Sequence, residues 1–435
     1  MKKHPLPILF ILLLALVFTA AAGRIASAQQ EVWIKIDGGR PAYAFALPPF
    51  VAAEPAKAAA EEARQIFESD MQYTRMFQLL PKSYYSYIRT LDPKAILYQE
   101  WESIQANLLF VGELSENAGD ISFEGRLLDV KSRRQIVGKR FQAKKAELRF
   151  MMHRMADEIM KAYGEKPVFT SKIAFVSNRD GNDEIYLMDY DGANQTRLTY
   201  NTVRDYMPAF APGGRHVAYT SYRNLVPGLY IDDIYEQKRT VVSVKGTNYA
   251  AAFSPDGKRL AFSSSMDGNA EIYAADVDFG PTRVGKIRRL TFNSAIDTAP
   301  SWSPNGREIV FTSDRGGTAQ IYIMDAEGTN PRRISFGANH HDAPAWSPNG
   351  DKIVYVARVD NVFDLYLYHV RSGGIAKLTE SNARNESPAW SPDGRHIVFT
   401  SNVRGGLQLF AIDADGLNLR QLTSKAENKL ADWSN

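Results

Sequence analysis

From residue 173 onward, short β-branched and aromatic runs alternate with turns rich in glycine, asparagine and aspartate, and the order of runs and turns repeats. Pro388-Ala389-Trp390-Ser391-Pro392-Asp393-Gly394, followed by Ile397-Val398-Phe399-Thr400, has a counterpart in Pro344-Ala345-Trp346-Ser347-Pro348-Asn349-Gly350. Earlier copies are Pro300-Ser301-Trp302-Ser303-Pro304-Asn305-Gly306, Ala251-Ala252-Phe253-Ser254-Pro255-Asp256-Gly257 and Pro208-Ala209-Phe210-Ala211-Pro212-Gly213-Gly214. The residue before the shared proline is 211, 254, 303, 347 and 391, at intervals of 43, 49, 44 and 44. A fixed period of this size marks an array of similar units.

Within one unit the turn chemistry predicts strands. Asn305-Gly306 after a proline makes a tight hairpin, because both residues of that pair tolerate positive φ. Glu308 to Thr312, Gln320 to Met324 and Arg332 to Ser335 follow as further strands, separated by Asp314-Arg315-Gly316-Gly317 and Ala326-Glu327-Gly328-Thr329. Four antiparallel strands in ~44 residues is one propeller blade. No helix-period segment interrupts the repeats, so a parallel βαβ reading fails. The stretch from Ile173 to Thr199 matches strands two to four of a unit but lacks the first, while Asp432-Trp433-Ser434 ends the chain on period. The C-terminal strand is therefore expected to close a ring of six blades and remove its open edge.

Residues 29–163 follow another pattern. Val32 to Ile36 and Ala42 to Leu47 read as strands, Ala56 to Asp70 as a helix, Leu97 to Ala106 as a short helix. Leu108 to Gly112, the alternation through Ile121, Phe123 and Leu127, and Gln135 to Phe141 are strands. Leu148, Met151, Met152, Met155 and Ile159 fall on one face of a helix spanning Ala146 to Tyr163. The expected fold class is thus a small N-terminal α/β domain (29–163) followed by an all-β, six-bladed propeller (164–435), joined near Gly164-Glu165-Lys166-Pro167.

Residues 1–28 add a location. Lys2 and Lys3 precede an apolar core from Ile8 to Ala22, and Ala26-Ser27-Ala28 is a small-residue cleavage site, so the segment reads as a secretory signal and the mature chain is expected in the periplasm without direct membrane insertion. The chain has no cysteine, hence no disulfide framework and no lipid-bearing cysteine. Of its 52 basic residues, Lys2, Lys3 and Arg24 fall in the signal, leaving 49 against 49 acidic ones. That balance gives no electrostatic reason to bind nucleic acid or an anionic membrane.

The frame P-A-W-S-P-D-G…F-T-S…I-Y-x-M-D…G-x-N…R-x-L-T, preceded by a signal and a small α/β domain, resembles the TolB family, the periplasmic components of the Tol–Pal system. Ala46-Leu47-Pro48-Pro49-Phe50, and Leu127-Leu128-Asp129-Val130 followed by Gln135 to Arg140, look like the family's amino-terminal domain; Ile173 to Ser177 and Glu184 to Asp189 look like its first propeller strands. Tyr222-Arg223-Asn224-Leu225-Val226-Pro227-Gly228 departs from the pattern, replacing the usual charged, glycine-rich turn. The resemblance implies a non-enzymatic scaffold whose funnel holds the lipoprotein Pal and whose mature N-terminus pairs with TolA. It implies a monomer with no cofactor, acting in outer-membrane integrity and cell division.

Candidate binding residues follow from the ring. Segments just before each first strand occupy equivalent places and converge on one mouth of the channel, and they vary in type while the frame repeats; such loops on a rigid scaffold carry binding. They supply Arg204, Tyr206, Thr247, Asn248, Tyr249, Asp297, Thr298, His340, His341, Arg384 and Glu386. By resemblance Thr247, Asn248 and Thr298 come first, as matching Pal-touching positions. Val32, Trp33, Ile34 and Ile36 alternate as a strand that either opens the domain or adds to a partner's sheet edge. His340-His341-Asp342 is the best metal or acid–base candidate, but neighbours on a strand point to opposite faces and rarely share one ion. Asp189 to Asn194 and Asp413 to Asn418 look like calcium loops, yet the glycine is misplaced and the twelfth positions are Tyr200 and Ser424 rather than glutamate, which leaves plain turns. Trp302, Trp346, Trp390 and Trp433 are expected between blades rather than as sugar platforms. No G-x-S-x-G elbow is present. The competing function is a propeller enzyme, a polysaccharide lyase or metal-dependent hydrolase, working at the channel mouth.

Overall fold

The computed structural model describes residues 43–236, 238–242, 245–279 and 283–434. The segment expected as a secretory signal and the strand expected at Val32 to Ile36 lie outside these residues. The amino-terminal domain is a five-stranded sheet of β1 (Tyr43–Ala46), β2 (Phe77–Leu79), β3 (Leu108–Asn117), β4 (Asp120–Asp129) and β5 (Arg134–Lys144), in the order β2-β1-β3-β4-β5. β1 runs parallel to both β2 and β3, and β3, β4 and β5 form an antiparallel meander. Among the described residues three α-helices accompany it: α1 (Lys57–Tyr73), α2 (Tyr98–Ser103) and α3 (Leu148–Ala162). α1 and α3 bury Phe67, Met71, Met152, Met155 and Ile159 against Phe45, Phe110 and Phe123 of the sheet. The four- to three-residue spacing of those side chains makes one apolar stripe on each helix, which the sheet covers.

The remaining strands form six four-stranded antiparallel sheets around a channel. Asn428–Trp433 pairs with Lys172–Ser177, Trp433 opposite Ile173, so the last strand of the chain completes the first blade. We number that blade 1; the innermost strands of blades 2 to 6 are Asp205–Phe210, Asn248–Phe253, Asp297–Trp302, His340–Trp346 and Asn385–Trp390. The pre-strand segments expected as loops are thus partly the first residues of these strands. Trp302, Trp346, Trp390 and Trp433 are buried. Trp302 lies among Ala261, Ile272 and Leu290 of blade 3 as well as Ile309 and Phe311 of its own blade, and its indole donates to the Ala252 carbonyl at 3.1 Å. Each innermost strand breaks register once, at a residue with φ near 50°: Met207, Ala250, Ala299, Ala343, Ser387 and Leu430. The resulting bulges bend all six strands alike at the channel wall.

Candidate functional site

The channel is one cavity of about 870 Å³, bordered by the inner strands of all six blades. Its two ends differ. At the end bearing the Ser-Pro-Asp-Gly hairpins, the chain leaving α3 crosses the blades. Asp157 fixes this linker: its carboxylate accepts from the amides of Val168 and Phe169, both at 2.9 Å, and of Thr170 at 3.0 Å. Lys166 borders the cavity and donates to the Pro348 carbonyl at 3.1 Å. The amino-terminal domain docks on this same end. Arg75 donates to Asp413 at 3.0 Å and Asp415 at 2.6 Å, Arg149 pairs with Asp191, and Glu165 with Arg395. Beneath these pairs the Tyr190 hydroxyl of blade 1 donates to Asp70 of α1 at 2.6 Å, and His153 of α3 meets the same carboxylate at 2.9 Å. Burial pushes the Asp70 carboxyl up, and its bonds with His153 and Tyr190 oppose the shift. The two Asp-x-Asp-Gly turns that look like calcium loops are therefore docking turns whose carboxylates face arginines of the other domain.

The opposite end carries the starts of the innermost strands. Tyr249, Thr298, His340, Asp342, Arg384 and Glu386 border the cavity there. Thr298 accepts from Ser263 at 3.1 Å across the blade boundary, and Arg384 donates to Glu386 at 2.6 Å. Tyr206 stacks on Tyr222 with ring centres 5.6 Å apart, and Arg204 extends outward beside it, its side chain 75% exposed. Thr247 is half-buried, its hydroxyl 3.0 Å from that of Ser265.

Three expected contact residues are corrected. Asn248, Asp297 and His341 are buried and turned into the blades. They share one position of the repeat with Asp205, Asn385 and Asn428, all buried, and a strand's alternation sends the following residue to the channel instead. These side chains tie the strand start to its surroundings: Asn293 of the preceding loop donates to Asp297 at 2.7 Å, Arg315 of the turn after the second strand to Asp297 at 2.8 Å, and Asn385 to Asp364 of the preceding blade at 3.0 Å. Burial raises the Asp297 carboxyl and lowers the His341 imidazole to about 4. A residue type fit for hydrogen bonding, held at one repeat position, was the available signal that these belong to the frame. His340 and His341 point to opposite faces, and Asp342 accepts from Thr312 at 2.9 Å, so the trio shares no single site. Among the described residues no three His, Asp or Glu side chains stand together as a metal-ligand set.

Residues 160–435 match the family model described as the TolB β-propeller domain, and residues 32–136 that of the TolB amino-terminal domain. The chain belongs to the TolB family. It is 34% identical to the Tol-Pal system protein TolB of Desulfosudis oleivorans over 226 residues, 51% of each chain. It is 30% identical to a TolB homolog of Chlorobium luteolum over 329 residues, covering 65% of this chain and 75% of that one. In its leading matches the chain spans about half the length of the curated relatives. The crystal structure of TolB from Acinetobacter baumannii superposes with a TM-score of 0.75 at 25% identity, covering 91% of this chain and 97% of that one. Among the described residues no helix is long and apolar enough to cross a membrane.

Proposed function

We propose that the chain is a non-enzymatic periplasmic scaffold of the Tol–Pal system, working as a monomer whose open mouth receives a Pal-like outer-membrane lipoprotein and whose residues 29–36 engage TolA. The observation that carries this reading is the asymmetry of the channel. One end is occupied by the linker and the docked domain, while the other presents Tyr206, Tyr249, Thr298, His340, Arg384 and Glu386 on a rigid repeated frame. A preformed concave surface with mixed aromatic and polar groups suits a folded partner that docks with little rearrangement. The TolA assignment is supported by the sequence pattern: Val32, Trp33, Ile34 and Ile36 form a β-prone run that suits addition to the edge of a partner's sheet. The units 29–163 and 164–435 then divide the work, the first carrying the TolA segment and the second the mouth.

The test is titration calorimetry of the soluble Pal domain against the mature chain and its Thr298→Arg variant. A bulky cation at this place should weaken binding by about 2 kcal/mol, roughly thirtyfold, with melting unchanged. Equal affinities would move the binding site off the mouth. Deleting residues 29–36 should abolish TolA binding and spare both Pal binding and the melt; retained TolA binding would rule that assignment out.

A further inference from the structure

The turn between the second and third strands recurs on the open face. In blades 1, 3, 4 and 6 one position of it is glycine, Gly181, Gly268, Gly317 and Gly405, with φ between 95° and 124°. Each of these amides donates to the carbonyl three residues earlier. At none of the four would an added Cβ meet another atom within 4 Å, so the position faces open space. In blade 2 the same hydrogen bond is made by Leu225 to Tyr222 at 3.0 Å, with φ at 67°. A leucine thus sits in the left-handed region that favours glycine, and its side chain is 94% exposed. The strain yields no packing in return. The residues before it join the turn to the blade: Asn224 donates to the Tyr230 hydroxyl at 3.2 Å, and the Arg223 guanidinium lies 5.9 Å from the Tyr230 ring. Val226 follows at 51% exposure, and Tyr222 stacks on Tyr206, which makes the turn continuous with the mouth.

We propose that Leu225, flanked by Val226 and Tyr222, is an apolar anchor that enters a pocket on the folded lipoprotein domain docked at the open mouth, and so fixes where on the ring that partner sits. Backbone strain kept at an exposed site without a folding benefit points to function. A turn closed by its own hydrogen bond and joined to the blade by its neighbours presents an apolar side chain at lower ordering cost than a free loop, which is what an anchor residue needs. The inference rests on the reading that the mouth receives such a partner.

The experiment titrates the soluble Pal domain against wild type, Leu225→Gly, Leu225→Asn, Leu225→Met and Thr298→Arg. Gly and Asn both accept the left-handed conformation, so neither should lower the melting temperature. Both should weaken binding about tenfold or more, while Met retains most of the affinity. If the Gly and Asn variants bind like wild type while Thr298→Arg does not, the anchor is wrong and the mouth stands. If no variant changes binding, the mouth reading falls and the anchor with it. Loss of wild-type self-association in Leu225→Gly, seen by sedimentation, or loss of binding to vesicles of anionic phospholipid, would assign the leucine to a second copy or to a bilayer and overturn the proposal.

Discussion

At one end of the channel, Arg75 and Arg149 reach across to Asp413, Asp415 and Asp191, and Asp70 sits between His153 and Tyr190. At the other, Arg384 pairs with Glu386 two residues away and lies over the Phe363 ring, Tyr206 stacks on Tyr222, and Leu225 faces outward. The same six strands build both ends. What differs is where the polar groups find their partners: in the second domain at the covered end, and within the propeller itself at the open one. A surface already matched inside the molecule is fixed by folding. A surface left unmatched is available for recognition, and its residues vary over a frame that does not.

The strongest way to break the comparison is to open the ring. Deleting residues 430–435 removes most of the innermost strand of blade 1 and leaves the Lys172–Ser177 strand with an unpaired edge. The expected result is loss of a cooperative melt, or aggregation, by calorimetry; unchanged melting would sink the six-blade closure.

The covered end alone is probed by Asp70→Ala. It strips the acceptor from a buried tyrosine hydroxyl and a buried imidazole, which should cost about 3 kcal/mol. Urea denaturation measures the loss, and titration with the Pal domain should show no matching loss at the open mouth. A stability change below about 0.5 kcal/mol would mean the domains are not held by this cluster.

The smallest effects sharpen the picture within the channel wall. Asp432 borders the cavity and accepts from the Phe210 amide at 2.6 Å, and burial raises its carboxyl to about 6. A folded-state value above the ordinary one means the native protein holds the proton more tightly. Stability therefore falls as pH rises from about 4 through about 6, and Asp432→Asn should stabilise by about 1–2 kcal/mol at pH 7 and by little at pH 4. His341 acts oppositely. Its imidazole, held near 4 by burial and then by Arg333, stays neutral in the fold while the unfolded chain takes up protons below about 6.5. Stability should fall as pH drops from 6.5 toward 4, and His341→Gln should flatten that limb. Melts across this range check both; a slope unchanged by either substitution would place these groups in water.

The Asn-Gly and Asp-Gly hairpins, the period and the missing first strand of Ile173 to Thr199 were legible because turn chemistry and a two-residue alternation act over a few bonds. So was the tryptophan position, since a large ring fixed at one place in every unit has only the blade boundary to fill. The phase of the innermost strand was not. Whether Asn248 or Tyr249 meets the channel depends on where the bulge at Ala250 turns the backbone, and three residues expected at the mouth lie inside the blades for that reason.

The sequence by itself determined the ring, its number of units and the chemistry of each turn. Only the tertiary structure decided which turns became a docking surface and which stayed open, because those pairings join residues far apart along the chain, Asp70 to Tyr190 across 120 positions and Arg75 to Asp413 across 338. Local pattern carries no information at such distances; the closed ring and the position of the docked domain set them.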